Sequence, residues 1–544
     1  MCLFVGDILG IRVVRAWEFN STFPLRSIIP VYLSTAVPLL LLKALSLLCG
    51  YVINWYSLTV AVHLTVTLLS LITDYTVIHL ASWLHGRRDV VSAAVVMATS
   101  YVSLVYYSRT FSNTIESFLY AAVLCFATRK SRKPISDIPY AVIISTLIVV
   151  GVFNRPTFVV YAAVPYLWWL FSDGDHRVAV KAVSSVLTAI PVSVMLIFCD
   201  SVYFGYLDIN SLNVADLSDV MSVLSSNITV TPLNFLLYNT QSDNLAEHGI
   251  HPRFTHFAVN IPLLFSLLTV YFFYDIYWWG TTVVIFRTWK HVSMYRRQLM
   301  LLACCVIPVS LLSIFPHQEP RFLIPLLSVF AALYGHKIVA ARGMFMLWIV
   351  GNVAGCLFYG AVHQAGIVPC LGYLQQTQST AADRHLIFWH TYTAPQHLLI
   401  LPQQSSENHK QAHTGITSLT SLEGNSVEDL LHHLAELNNS QLSRRRGKPE
   451  VILAAPSSQH HYLVCKTAEA GIRLGFCRSF WPHLSTEHPP KIDDILCNVP
   501  PSVCHSDADT GIDGGDDDDD FCNRTLIDRI RFLTSLNLYR VTFL

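Results

Sequence analysis

The stretch His317-Gln-Glu319-Pro-Arg321 spaces a histidine, a glutamate and an arginine two residues apart, between the apolar runs "LLACCVIPVSLLSIFP" and "LLSVFAALYG". Imidazole and guanidinium groups can hold a phosphate or pyrophosphate, and a carboxylate between them can orient both. Pro320 suits the first position of a following helix, where its missing N–H costs nothing. Free N–H donors at that helix start would add to anion binding. A purely structural His–Glu–Arg cluster is the plain alternative.

Other ionisable or strongly polar side chains stand in or beside apolar stretches: Arg109, Glu116, Asn154, Arg155 and Asp200. A charge against hydrocarbon costs a few kcal/mol on insertion scales, so it faces protein or a water-filled cavity and marks a pathway or site. The alternatives are mutual pairing that fixes helices, or snorkelling to the interface.

The elements that must position these residues are read from composition and hydropathy. The 544 residues are 53% hydrophobic and 13% charged, with mean hydropathy +0.45 and a formal net charge of zero. Such a chain is a membrane protein, and it has no global field that would recruit nucleic acid. Windows of about 20 residues, the length that crosses the hydrocarbon, predict roughly ten spans. The candidates lie near 28–49, 53–72, 90–107, 113–128, 138–153, 157–171, 179–199, 257–275, 277–287, 299–315, 322–341 and 344–363. The fold class expected is mainly α, a polytopic transmembrane helical bundle.

Short basic segments, "RKSRK" (129–133), "RTWKHVSMYRR" (287–297) and "KIVAARG" (337–343), fall on the cytoplasmic side by the positive-inside rule. One span separates the second from residues 317–321, which puts the charged gap on the opposite, lumenal face. Residues 200–256 read as a long lumenal loop, and 366–544 as a lumenal C-terminal region. Six of thirteen cysteines lie between Cys370 and Cys522, where an oxidising compartment permits disulfides. Glycosylation tripeptides start at Asn20, Asn227, Asn438 and Asn523. The acidic stretch 505–520, which includes "DTGIDGGDDDDD" (509–520), lacks the ligand spacing of a calcium loop and reads as a disordered linker. No metal or cofactor is expected.

"HQEPRFLIPLL" resembles the signature of the dolichol-phosphate-mannose-dependent mannosyltransferases of glycosyltransferase family 22, which carry His-Lys/Gln-Glu-x-Arg-Phe in a lumenal loop. "DILGIRVVRAWEFNSTFPLRSI" (7–28), "SYVSLVYYSRTFSNTIESFLY" (100–120), "TPLNFLLYN" (231–239), "HGIHPRFTHFAVNIP" (248–262) and "VHQAGIVPCLGYL" (362–374) extend the likeness over most of residues 7–400. They favour the branch of the family that adds the side-branch fourth mannose of glycosylphosphatidylinositol (GPI).

The resemblance implies a GT-C type enzyme of the endoplasmic reticulum membrane with a lumenal active site. Its donor would be dolichol-phosphate-mannose, and its acceptor a GPI-precursor glycolipid mannosylated in α-1,2 linkage on its third mannose. It also implies roles for residues. His317 and Arg321 would bind the donor phosphate, with Glu319 orienting them. Asp200, in "DSVYFG", would bind sugar hydroxyls or act as base, or else only cap a helix end. Trp17 and Glu18, in the amphipathic segment 1–27 with Arg12 and Arg15, and His251, Arg253 and His256 would meet the acceptor.

The chain departs from the family in one respect. Relatives carry His-Pro-Asp-Glu in the first lumenal loop, and the acid there is the favoured base. This sequence begins "MCLFVGDILG", at positions just after that stretch, which we read as a late start. The rival expectations are another mannosyltransferase of the family, a permease or flippase, and an inactive homologue.

Overall fold

The computed structural model describes residues 8–10, 16–129, 137–172, 175–208, 228–241, 250–284, 295–377, 384–399, 417–442, 450–486, 488–496 and 525–543. The acidic stretch, the glycosylation sites Asn227 and Asn523, Arg12 and Arg15 lie outside them, as do much of 200–256 and of the basic segments 129–133 and 287–297.

Among the described residues, six helices are long and apolar enough to cross a membrane: Ile28–Cys49, Trp55–His85, Asp137–Asn154, Arg177–Tyr203, Pro320–Ala340 and Arg342–Val362. Shorter apolar helices, Ser112–Ala127, Phe158–Phe171 and His256–Phe265, pack among them. The chain is a multi-pass membrane protein, mainly α, as its hydropathy predicts.

In chain order the α-helices of the membrane part are α1 (Ile28–Cys49), α2 (Trp55–His85), α3 (Val90–Thr99), α4 (Ser112–Ala127), α5 (Asp137–Asn154), α6 (Phe158–Phe171) and α7 (Asp175–Tyr203). After a gap come α8 (Thr231–Thr240), α9 (Ile261–Phe265), α10 (Leu268–Val284), α11 (Arg296–Leu312), α12 (Leu327–Ala340), α13 (Arg342–Gly355) and α14 (Ile367–Gln376). The stretch Pro320–Ala340 is the central one: 78% of its most apolar window is buried inside the protein, against 11% for Arg342–Val362.

Two departures from the hydropathy windows have physical causes. The expected span 53–72 continues as helix to His85, because Thr73 and Thr76 point inward and are fully buried. Thr76 Oγ1 donates to the Ala121 carbonyl of α4 at 3.1 Å, so polar residues that end a hydropathy window still stay inside a helix. The expected span 90–107 breaks at Ser100, and the Asn352 side chain from α13 accepts from the freed Tyr101 N–H at 2.8 Å.

Close helix approach depends on Gly335 in α12, where an added Cβ would lie 2.8 Å from the Ala93 Cα of α3. Gly335→Ala must therefore push backbone against backbone. A loss of about 1–3 kcal/mol is expected, read as a lower melting midpoint in detergent; an unchanged midpoint would show that the two helices slide apart freely.

The C-terminal region carries a five-stranded mixed sheet that hydropathy did not reveal. Its strands are β1 (Arg384–Trp389), β2 (Thr417–Leu422), β3 (Glu450–Pro456), β4 (Ile472–Phe480) and β5 (Leu536–Phe543), in the order β2-β1-β3-β5-β4. β1 pairs parallel with β2 and β3, while β5 runs antiparallel between β3 and β4. One face packs Leu386, Phe388, Ile452, Leu536 and Leu538 into the same apolar cluster as Cys370 and Leu371 of α14 and Leu39, Leu58 and Val62 of α1 and α2. The sheet is thus joined to the membrane bundle by shared core. Cys465 is disulfide-bonded, whereas Cys370 and Cys477 are free.

Candidate active site

The signature loop follows α11 and ends where a 3-10 turn, Pro320–Leu326, leads into α12. Pro320 takes the first position of that turn, with Glu319 as the flanking residue. Glu319 accepts from both neighbours: from the His317 ring at 3.1 Å, and from Arg321 through Nε and through Nη2, the latter at 2.9 Å. Burial alone would raise the Glu319 pKa, but these donors outweigh it and bring it down to about 2. The carboxylate is therefore charged throughout the neutral range. Arg321 is 44% exposed and lies 5.9 Å over the Phe111 ring, so its guanidinium is open to a ligand.

Gln318, only 1% exposed, holds the loop in place. Its side-chain oxygen accepts from the His256 N–H at 2.9 Å, and its amide nitrogen reaches the carbonyls of Arg253, Ser313 and Phe315 at 3.1–3.2 Å. The motif around 248–262 forms the other half of this clasp. His251 N–H donates to the Pro316 carbonyl at 2.8 Å, and the Arg253 guanidinium donates to the Ile314 carbonyl. His256 is fully buried, its Nδ1 accepting from the Asn260 amide at 2.9 Å. His251, Arg253 and His256 thus lie beside the signature loop, the first two binding backbone carbonyls that lead into it and the third the Gln318 side chain. Gln318→Ala should leave several of these groups unpaired. A loss of about 3 kcal/mol is expected, with a lower melting midpoint; a variant as stable as the parent would mean that water replaces the amide.

The first-loop segment joins the same region. Glu18 pairs with Arg26 at 3.0 Å, and Arg26 also donates to the Asn154 carbonyl at 3.2 Å while lying 5.0 Å over the Phe235 ring of α8. Burial of Glu18 works against its charge, yet Arg26, with Arg155 and Arg321 nearby, holds its pKa below the ordinary carboxylate range. Trp17, half exposed, sits 5.3 Å from the Tyr238 ring. Asn234 of α8 donates to the Pro24 carbonyl at 3.0 Å. The "TPLNFLLYN" stretch is therefore the wall behind the first loop.

Beneath the loop, Arg155 lies 5.1 Å over the Phe322 ring and pairs with buried Glu116 at 3.6 Å. Glu116 also accepts from Thr157 at 3.1 Å, and Arg155 donates to Ser112 Oγ at 3.1 Å. Arg155 is brought down to about 10 by burial and by the other arginines around it. Sequence reading offered mutual pairing as one alternative for these charged residues, and the structure makes it specific: Glu116 with Arg155, joining α4 to the turn after α5. Arg109 donates to the Tyr359 carbonyl.

Asp200 occupies a different position. One oxygen accepts from Ser27 Oγ and from the Ile28 N–H, both at 3.0 Å, and the other accepts from Thr231 at 2.8 Å. It is fully buried and ties the starts of α1 and α8 to the end of α7. Of the two roles expected for it, helix-end capping is the one that this geometry serves.

Taken together, the fold is that of a multi-pass membrane protein, with the His317, Glu319 and Arg321 side chains gathered at the end of its central helix and Arg321 partly exposed there. The profile of the Alg9-like mannosyltransferase family matches residues 5–401, and the chain belongs to that family; it is a glycosyltransferase. It is 34% identical to GPI alpha-1,2-mannosyltransferase 4 of Homo sapiens, over 73% of this chain and 70% of that one. It is 27% identical to GPI mannosyltransferase 4 of Drosophila melanogaster, over 90% of this chain and 82% of that one. The crystal structure of ArnT from Cupriavidus metallidurans in the apo state covers 87% of this chain and 88% of its own, with a TM-score of 0.46 and 11% identity.

Proposed function

We propose that the protein transfers mannose from dolichol-phosphate-mannose, in α-1,2 linkage, to the third mannose of a GPI precursor, on the lumenal face of the endoplasmic reticulum membrane. The observation that carries the reading is the exposed Arg321 guanidinium, fixed by Glu319 with His317 at the membrane end of the central helix. The names of the human and fly relatives supply the acceptor class. The disulfide at Cys465 and the basic segments at the opposite ends of the spans support the lumenal orientation.

The donor mannose is β-linked to phosphate and the product is α-linked, so one inverting displacement suffices. The acceptor 2-hydroxyl oxygen attacks C1 as the C1–O bond to phosphate breaks. Dolichyl phosphate leaves with the electron pair, and Arg321 and His317 stabilise the charge that develops on it. A carboxylate on the acceptor side takes the hydroxyl proton. We assign that role to Glu18 of the first loop, whose side chain is 33% exposed beside Trp17, against 1% for Glu116; its pairing with Arg26 must loosen for it to take the proton. Trp17 offers an aromatic face to a sugar. His251, Arg253 and His256 shape the acceptor side through the loop that they hold.

The test is transfer of labelled mannose from dolichol-phosphate-mannose to a three-mannose GPI precursor, in membranes carrying this chain. A four-mannose product with an α-1,2 linkage is expected. Folded protein that transfers only to a two-mannose GPI precursor, or only to dolichol-linked oligosaccharide, would replace this reading with another activity of the family.

A further inference from the structure

A second cluster of chemistry lies far from the sugar site, where α2 ends against α12. His85, Asp89 and His336 each offer a ligand atom, and these atoms lie within 4.8 Å of one another. His85 closes α2. Gly86 then turns the chain at φ 84° and ψ −175°, a conformation that only glycine adopts readily, and the short turn Arg87–Asp89 brings the Asp89 carboxylate back toward the imidazole. His336 projects from α12, its ring centroid 4.3 Å from that of His85. His336 Nδ1 is buried with no hydrogen-bond partner among the described residues.

We propose that His85, Asp89 and His336 form a divalent metal site, zinc by preference, that clips the end of α2 to α12. Two imidazoles and a carboxylate are a zinc-type donor set with room for water as a fourth ligand. Tetrahedral bonds of about 2.0 Å require ligand atoms about 3.3 Å apart, so closure from 4.8 Å asks only for small side-chain rotations. The neighbouring charges are compatible with this. Lys337, the cation nearest the site on α12, is engaged by Asp275 at 3.9 Å and lies over the Tyr271 and Tyr334 rings. Arg87 and Arg88 are exposed and point into solvent-accessible surroundings. His336 stands 15 residues beyond Arg321 on the same helical stretch, about 25 Å at the rises of the 3-10 turn and the α-helix. The ion would thus act on helix position and not on the transferred sugar.

The test uses the untagged full chain in detergent, stripped with a chelator, desalted and titrated with zinc chloride. After zinc loading and a second desalting, elemental analysis should find one zinc per chain, and the melting midpoint should rise by a few degrees on zinc addition. The double variant His85→Gln, His336→Gln should lose the bound zinc, with at least 100-fold weaker binding, while its metal-free melting midpoint stays at the parent value. Asp89→Asn should weaken zinc about 10-fold. Failure of the parent chain to retain zinc, or retention by the double variant at full stoichiometry, would overturn the assignment. Should the double variant fold poorly, His85→Gln alone decides, because that side chain is exposed and its loss leaves no cavity.

Discussion

Arg321→Ala is expected to lower mannosyl transfer by about 10²–10³-fold, the scale of losing one donor to a developing anion, with little change in melting midpoint. The two halves of that expectation have separate grounds. The Arg321 side chain is 44% exposed, and its partner Glu319 keeps the His317 ring as a donor, so removing the guanidinium strands no buried charge. An exposed pair of this kind contributes at most about 1 kcal/mol. In the transition state the same guanidinium would face the departing phosphate, where a bidentate planar cation stabilises charge far more than water does. Arg321→Lys keeps the charge without the fork and should recover only part of the rate. A well-folded Arg321→Ala protein with the parent kcat would remove the phosphate-facing role, and with it the observation on which the functional reading stands.

Glu116→Ala should produce the reverse pattern, a severe loss of stability. Side-chain exposure is 1% for Glu116 and 8% for Arg155, so the variant leaves a buried guanidinium without its counter-charge. Breaking one partner of a buried pair costs about 3–5 kcal/mol. The Thr157 hydroxyl and the Asn113 amide lose their acceptor at the same time. Glu116→Gln retains an acceptor and the volume, so it should fall well short of that cost. The comparison is a thermal melt of the two variants in the same detergent. Equal midpoints for Glu116→Ala and the parent chain would mean that Arg155 finds water or another anion, and that the pair does not fix α4 against the turn after α5.

The membrane class, the signature loop and the ends of most helices were legible because each is a local property. Hydropathy over about 20 residues reports the solvent that a helix meets, and "HQEPRF" stands out because three ionisable residues interrupt apolar sequence. The C-terminal sheet was missed although its strands show in short runs such as "LIFW" (386–389) and "VILAAP" (451–456). Those runs are far shorter than a membrane window, and β1 pairs with β2 and β3 across intervals of some thirty residues or more that no local pattern reports.

The sequence alone thus determined that this chain crosses a membrane repeatedly, that a charged turn interrupts its apolar run at 317–321, and which family that turn resembles. Tertiary structure decided the partners. Asp200 reads equally well as a base or a cap until Ser27, Ile28 and Thr231 take up its oxygens. Gln318 looks like the plain member of the motif until it is found holding the 251–256 stretch. Glu116 with Arg155, and His85 with His336, are likewise read one at a time in sequence. The physical reason is that side-chain electrostatics and hydrogen bonding act over a few ångströms, whereas these partners are separated by tens to hundreds of residues. Only the packing of the helices brings them within range.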